Sequence, residues 1–180
     1  MKLSIIGYSR HGKDTVAELL REHYKMKFES SSLFCAERVM LPAFARTGKT
    51  YESIAECFDD RINHRAFWHE EIAKYCTPLE RLGREIWAKN DVYVGTRSYR
   101  EFMACKNANL FNYSIWVDRS LHLQPESKES NTMEPWMADF ILDNNGSLSD
   151  LFRNLNVLMC TLYAKHGMEL PRQIRRLAGQ

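Results

Sequence analysis

The sequence predicts an α/β fold of three layers, in which helices cover both faces of a parallel β-sheet and one helical segment is inserted. Two observations support this class. Short apolar strands alternate with amphipathic helices, and a glycine-containing loop joins the first strand to the first helix. The chain has 180 residues, 44% of them hydrophobic, which is enough for one core. Residues 1–180 are therefore expected to form a single domain.

The first half of the chain contains the glycine loop and the insertion. The predicted elements are a strand at 2–6, a helix at 13–24, a short strand within 26–34, a helical stretch at 34–48 and a helix-rich insertion at 49–90. Pro42 is expected to kink or interrupt the helical stretch, because proline lacks the N–H that continues a helix.

The second half of the chain continues the alternation of strands and helices. The predicted elements are a strand at 91–95, a helix at 98–109, a strand at 112–118, a polar segment at 119–136, a strand within 138–147 and a helix at 148–167. The polar segment is rich in Pro, Ser and Glu, which indicates a mobile loop or lid. Ser147 or Ser149 would cap the last helix.

The composition bears on the compartment and on the partners. The five cysteines include no C-x-x-C pair, which predicts free thiols in a reducing cytoplasm. No apolar run approaches the ~20 residues that cross a bilayer, and the first residues do not resemble a signal peptide. A formal charge of +2 neither requires nor excludes nucleic acid. We expect a cytoplasmic protein without a membrane partner.

Residues 7–15, GYSRHGKDT, contain the G-x-x-x-x-G-K pattern of a phosphate-binding loop (P-loop) between a strand and a helix. The two glycines let successive backbone N–H groups point at phosphates, and the helix adds the positive end of its dipole. Lys13 would bridge the β- and γ-phosphates of ATP. The predicted nucleotide-binding residues of this loop are Gly7, Tyr8, Ser9, Arg10, His11, Gly12, Lys13, Asp14 and Thr15.

Asp14 stands where the usual motif has the Ser or Thr that binds Mg²⁺. A carboxylate can bind this ion directly or through water, so the position remains a candidate metal ligand. Thr15 would be a weaker hydroxyl ligand or would pack in the first turn. The expected cofactors are ATP and Mg²⁺.

The motif G-x-x-x-x-G-K-D-T before an apolar helix resembles the phosphate loop of bacteriophage deoxynucleoside monophosphate kinases and their relatives. Residues 91–120 resemble this family's strand with a signature arginine and a following Glu, and residues 138–151 resemble its closing strand, Asn–Gly turn and helix. The resemblance implies a P-loop NTPase fold, an ATP-dependent kinase activity and a phage origin. It places Arg97 in the catalytic site and Asn145 near the adenine or ribose.

The metal-binding carboxylate of the neighbouring strand is harder to assign. Gly95 and Thr96 precede the signature arginine where this family would have an acidic residue. Asp118 is the candidate substitute, because it ends an apolar strand at the expected edge of the sheet. Arg119 follows and would belong to a lid that closes over ATP.

The insertion contains the candidates for binding the acceptor of the phosphoryl group. Arg61 and Arg65 lie four residues apart and would share a helix face that grips an acceptor phosphate. Asp59 or Asp60 would take the proton of an attacking hydroxyl. Phe58 and Trp68 would stack on a base. An amphipathic helix without a binding role is the alternative for this stretch.

Two acceptors are compatible with these residues. A free deoxynucleoside monophosphate needs arginine clamps, whereas the neutral 5-hydroxymethyl group of a pyrimidine in DNA needs a carboxylate base and aromatic side chains around the extruded base. The family includes phage kinases for 5-hydroxymethyluracil in DNA. The compact chain and the Asp59–Asp60 pair beside aromatics favour this second acceptor. A nucleotide-binding factor without an acceptor pocket is the third possibility.

Overall fold

A five-stranded, fully parallel sheet forms the centre of the computed structural model, which describes residues 1–177 without the side chains of residues 173, 176 and 177. The sheet order is β2-β3-β1-β4-β5. The strands are β1 (Leu3–Ile6), β2 (Phe28–Ser30), β3 (Val92–Val94), β4 (Tyr113–Asp118) and β5 (Phe140–Asp143). Because all strands run in one direction, the carboxyl ends of β1, β3 and β4 meet at one edge.

The helices follow the alternation that the sequence predicts. They are α1 (Lys13–Tyr24), α2 (Ser31–Cys35), α3 (Leu41–Arg46), α4 (Ile54–Asp59), α5 (Arg65–Tyr75), α6 (Arg81–Trp87), α7 (Tyr99–Asn107), α8 (Leu148–Lys165) and α9 (Arg172–Leu177). A π-helical turn (Ala36–Met40) and two 3₁₀ turns (Asp60–Asn63 and Pro135–Met137) complete the helical segments. The α/β class with a parallel sheet is therefore confirmed.

Pro42 does not interrupt the helical stretch in the way that the sequence suggested. It lies in the first turn of α3, where its missing N–H is not needed. The irregularity lies just before it, in the π-helical turn, where the N–H of Leu41 bonds to the carbonyl of Ala36. The chain thus stays helical from Ser31 to Arg46 through one wider turn.

Two apolar clusters cover the sheet. One packs α1 and α8 on β1, β3 and β4, with Leu20, Leu155 and Leu162 fully buried. The other lies under the insertion and includes Phe44 and Trp87. Burial of each such side chain stabilises the folded protein by roughly 1.5–3 kcal/mol. Parallel sheets are generally covered on both faces, and the two clusters supply this cover.

The last long helix begins as the sequence predicts. The hydroxyl of Ser147 accepts the N–H of Asp150, and the Asp150 carboxylate accepts the N–H of Ser147. This reciprocal pair is a capping box, and it fixes the start of α8 directly after the turn that follows β5.

Residues 119–136, here called the strap, connect β4 to β5. The strap is held against the rest of the protein near its end, where Met133 is fully buried beside Tyr8 and Trp116. The N–H of Thr132 also donates to the carbonyl of Arg97 at 2.9 Å. The strap therefore lies across the carboxyl edge of the sheet.

The structure also shows the length of the helices and the state of the cysteines, on which two expectations from the sequence depend. Over residues 1–177, none of the helices combines the length and the apolar character that a bilayer span needs. All five cysteines are free, and four of them are buried.

Candidate active site

The glycine loop connects β1 to α1 and approaches β4 and the turn after β5 closely. Gly7 and Gly12 have φ angles of +147° and +94°, a region that glycine adopts without strain. A Cβ atom on Gly7 would lie 2.7 Å from the carbonyl oxygen of Val117, and one on Gly12 would collide with the side chain of Asn144. Both glycines of the motif are therefore required by the packing of the loop.

Lys13 is the first residue of α1 and folds back over the loop. Its side chain is buried, and Nζ donates to the carbonyl of Tyr8 at 2.7 Å. Burial and the nearby Arg97 guanidinium lower the pKa of Lys13 to about 8, while Asp14 and Glu126 oppose this change. An ammonium group held over the amides of the loop is the arrangement that binds a phosphate chain.

His11 is braced from two sides. Its Nδ1 accepts the backbone N–H of Arg119 at 3.0 Å, and its carbonyl accepts the side-chain amide of Asn144 at 2.8 Å. Because Nδ1 is an acceptor, the neutral ring carries its proton on Nε2, which has no hydrogen-bond partner among the described residues. Burial lowers the pKa of His11, against an opposing effect of Asp118. The ring is thus a neutral support of the loop.

The candidate metal ligands lie at the edge of the loop. Asp14 and Thr15 are exposed in the first turn of α1. Asp118 ends β4, which pairs with β1, and its Oδ2 accepts the Ser120 hydroxyl at 3.0 Å and the Asn145 amide at 3.1 Å.

These oxygen ligands suit Mg²⁺, which is commonly held by one or two carboxylates and by substrate phosphates. Within residues 1–177, no group of three or more metal-binding side chains is present. The residues therefore fit a magnesium ion that completes its coordination with phosphate oxygens and water, rather than a site formed by protein ligands alone.

The side chains of Arg119 and Asn145 bond to the turn after β5, to the ends of β4 and β5 and to the start of the strap. Nη1 of Arg119 donates to the carbonyl of Asn144 at 2.6 Å. The Asn145 side chain donates to Asp143 at 2.7 Å and accepts the N–H of Leu121 at 3.0 Å. Both side chains are thus engaged within the protein, and their expected roles, Arg119 in a lid over ATP and Asn145 near the adenine or ribose, stay predictions.

A cavity of about 640 Å³ opens at the carboxyl end of β3. It lies between α2, α5, α7 and the strap. Its cationic lining residues are Arg61, Arg97 and Arg100, and its apolar ones include Cys35, Trp68, Ile72, Cys76 and Leu82. Cavities of this size and mixed lining are typical of small-molecule sites.

Glu101 lines the same cavity and is partly buried. It accepts the Tyr93 hydroxyl at 2.7 Å. Burial raises the pKa of Glu101 to about 7, and the hydroxyl of Tyr93 opposes this rise. A carboxyl group with such a pKa can donate or accept a hydrogen bond near neutral pH.

Arg97 connects the loop and the cavity. It lines the cavity, and its Nη1 lies 3.0 Å from Oε1 of Glu126 in the strap. Oε2 of Glu126 in turn accepts the backbone N–H of Ser9 at 2.7 Å. Burial and, after it, the charge of Arg97 lower the pKa values of both Lys13 and Arg61.

The acceptor residues expected from the sequence are only partly brought together. Trp68 and Arg61 line the cavity, but Asp59, Asp60, Phe58 and Arg65 are not among the described residues that line it. Asp60 accepts bonds from Lys49 at 2.5 Å and from Tyr51 at 2.7 Å, and the Lys49 bond holds its pKa well below the usual range. The Asp59–Asp60 pair is therefore not positioned on the cavity as a proton acceptor.

The shared helix face expected for Arg61 and Arg65 is not formed. Arg61 lies in the 3₁₀ turn Asp60–Asn63, and α5 starts only at Arg65, so the two residues belong to different helices. The Arg61 guanidinium lies 3.6 Å from the centre of the Phe58 ring, which supports it from behind. Phe58 thus contacts the arginine instead of offering its face to the cavity.

Three residues of this site were not predicted from the sequence. Glu126 lies in a polar segment without periodicity, and Asn144 looks like an ordinary turn residue. Tyr93 is an alternating residue of a short apolar strand. For Glu126, the one indication in the sequence is a carboxylate close to a proline in a segment expected to form a lid. This indication is weak.

Comparison with known proteins gives similarity in structure alone. No protein-family model matches the chain. No curated protein matches it either. Shikimate kinase from Aquifex aeolicus has a TM-score of 0.51 at 14% identity, over 92% of this chain and 98% of that chain. Shikimate kinase from Bacteroides thetaiotaomicron has a TM-score of 0.50 at 15% identity, over 90% and 98%.

These similarities concern nearly the whole length of both chains, and they agree with the parallel sheet and the glycine loop between β1 and α1. At such low identity they establish the fold and leave the substrate open. The chain has the α/β P-loop fold that these two kinases share.

Proposed function

We propose that this protein is an ATP-dependent phosphotransferase that uses Mg²⁺ and transfers the γ-phosphoryl group to a deoxynucleotide bound in the cavity. The observation that carries this proposal is the position of Arg97, which lines the cavity and reaches the glycine loop through Glu126. Phosphoryl transfer depends on cations that stabilise the charge of the transferred group, and Arg97 lines the cavity beside Arg61 while its ion-pair partner Glu126 contacts the loop.

The donor side follows from the loop. Its amides and the positive end of α1 would hold the phosphates of ATP, with Lys13 above them. Mg²⁺ at Asp14 and Asp118 would add positive charge to the phosphate oxygens. Lys13 and Arg97 would neutralise charge on the phosphoryl group as it moves. The strap lies across the carboxyl edge of the sheet and would limit the access of water to the transferred phosphoryl group.

The acceptor side favours an anion. Three arginines line the cavity together with Glu101 and Glu129, whereas Asp59 and Asp60, the bases expected from the sequence, do not line it. A free deoxynucleoside monophosphate brings its own negative charge and needs clamps rather than a strong base. Trp68 offers apolar surface to its base. This acceptor is our first candidate.

The 5-hydroxymethyl group of a pyrimidine in phage DNA is the second candidate. Trp68 on the cavity wall supports it, because an extruded base needs an apolar or aromatic surface. In this case the strand backbone would have to follow cationic residues at the cavity mouth, such as Arg100.

A labelling experiment separates these possibilities. The protein is incubated with Mg²⁺ and ATP labelled on its γ-phosphate, together with either a panel of deoxynucleoside monophosphates or DNA containing 5-hydroxymethyluracil. Label in diphosphates is expected. Label in DNA would favour the second candidate, and label in neither, with intact ATP binding, would indicate a nucleotide-binding factor without transferase activity. Lys13→Ala serves as the inactive control.

A further inference from the structure

The glycine loop binds an anion that belongs to the protein itself. Oε2 of Glu126 accepts the N–H of Ser9 at 2.7 Å and the side-chain amide of Asn131 at 3.3 Å. Oε1 of the same carboxylate lies 3.0 Å from Nη1 of Arg97. The Glu126 side chain is only 16% exposed, so this contact is largely withdrawn from water.

Two of the three donors that hold Glu126 are those that a phosphate group would use. They comprise a backbone amide of the loop and the Arg97 guanidinium, and the carboxylate also acts electrostatically on the Lys13 ammonium. The N–H of Ser9 is a single donor and bonds to one acceptor at a time. Two anions on the same donors repel each other strongly where water is scarce. A phosphate bound at Ser9 would therefore exclude the carboxylate.

We propose that Glu126 is a positioning residue that keeps Arg97 and the loop in place until nucleotide binds, and that the phosphates of ATP displace it. The identity of the displacing ligand rests on the proposed function. Once displaced, Glu126 leaves Arg97 free to pair with the phosphoryl group. The ion pair between Glu126 and Arg97 is thereby exchanged for one between Arg97 and the substrate.

The same exchange links the two halves of the site. Ser130, Asn131 and Thr132 line the cavity, and they follow Glu126 closely along the strap. Thr132 is held by the carbonyl of Arg97, and Met133 is held in the apolar cluster with Tyr8 and Trp116. Movement of the strap is therefore confined to the residues that precede Thr132. Binding of ATP at the loop therefore changes the cavity wall, and the donor and acceptor sites are coupled.

An ordinary structural ion pair makes the opposite prediction for a variant. If Glu126 served only to hold the loop together, its replacement would loosen the loop and weaken nucleotide binding. If Glu126 competes with phosphate, its neutralisation removes the competitor and the binding-competent state becomes more populated. The sign of the change in affinity thus distinguishes the two roles.

Isothermal titration calorimetry with a non-hydrolysable ATP analogue and Mg²⁺ provides the test. Glu126→Gln should bind the analogue about tenfold more tightly than the wild type, because the glutamine amide still accepts a hydrogen bond but lacks the negative charge that strengthens the competing contact. Glu52→Gln removes an exposed carboxylate of the insertion and should bind like the wild type. Equal or weaker binding by Glu126→Gln overturns the inference. Absence of binding by wild type and variant alike would count against the proposed function itself.

Hydrogen exchange on the wild-type protein provides a second measurement that needs no variant. Addition of the analogue should speed exchange in residues 120–131, because their contact with the loop is released. Slower or unchanged exchange in this segment, with the analogue bound, overturns the displacement. This arm also serves if Glu126→Gln fails to fold.

Discussion

The side-chain amide of Asn144 donates a 2.8 Å hydrogen bond to the carbonyl of His11, which joins the turn after β5 to the glycine loop. The same side chain occupies the space next to Gly12, where a Cβ atom would collide with it. Asn144 is buried, so water does not replace it readily. The conformation of a loop at the start of the chain therefore depends on a residue near its end.

Asn144→Ala should loosen the loop. Removal of the amide leaves a buried carbonyl without its donor, which costs about 1–3 kcal/mol of folding free energy. We expect a lower midpoint of thermal unfolding and roughly tenfold weaker binding of an ATP analogue. Asn107→Ala, at the exposed end of α7, is the control. Unchanged affinity in Asn144→Ala would show that the loop keeps its shape without this bond.

Lys13→Ala should reduce the rate of phosphoryl transfer by on the order of 10³-fold or more, because it removes a main source of positive charge at the transferred group. The measurement is single-turnover transfer with labelled ATP. Lys89→Ala, which removes an exposed lysine next to α6, should leave the rate unchanged. Near-normal transfer by Lys13→Ala is incompatible with the proposed site.

Binding of ATP should be accompanied by proton uptake around pH 8. The pKa of Lys13 in the free protein is lowered to about 8, mainly by burial, and a bound triphosphate would raise it again. The protonated form therefore binds more tightly, and affinity should fall as the pH rises above 8.

Calorimetry at pH 8 in buffers with different ionisation enthalpies measures this uptake directly. The binding heat should change with the buffer for the wild type but not for Lys13→Met. A wild-type heat that is independent of the buffer would mean that Lys13 does not titrate on binding.

Asp14→Ser restores the hydroxyl that this position has in the common motif. If the carboxylate serves only as a metal ligand, transfer in Mg²⁺ should persist, with a higher Mg²⁺ concentration needed for half-maximal rate because a hydroxyl is a weaker ligand than a carboxylate. The dependence of the rate on Mg²⁺ is the measurement. Complete loss of transfer at all Mg²⁺ concentrations would assign Asp14 a further role.

Glu101→Gln should change how stability depends on pH. Burial raises the pKa of Glu101 from 4.5 to about 7, so the folded protein binds this proton more tightly than the unfolded chain. The associated stability is fully present below pH 4.5 and is lost as the pH rises through 7, by about 3 kcal/mol.

Urea unfolding at pH 5 and pH 8 tests this dependence. The wild type should lose stability between these values, and Glu101→Gln should lose less, because glutamine does not ionise. Equal losses in both proteins would show that Glu101 is not the responsible group.

The donor half of the site was predictable because its constraints are local. The spacing of Gly7, Gly12 and Lys13 encodes one turn between a strand and a helix, and the structure forms that turn. The alternation of strands and helices likewise determined the fold class. The cap at Ser147 was predictable for the same reason, since its partner lies three residues away.

The acceptor half was not predictable from local patterns. Asp59 and Asp60 looked catalytic next to aromatic residues, but Lys49 and Tyr51 bind Asp60 within the insertion, away from the cavity. The contact between Ser9 and Glu126 spans 117 positions of sequence, and no periodicity reports such a distance. Tertiary packing alone brings these groups together.

The strap is short and fixed at both ends, by Arg119 at His11 and by Thr132 at Arg97. Only the twelve residues 120–131 lie between these anchors, so the Glu126 carboxylate stays near the loop at a high effective concentration. Its strength as an intramolecular ligand is then independent of how much protein is present and varies with the length of the tether. Chains with longer connections at this point would hold their loops less firmly against incoming nucleotide.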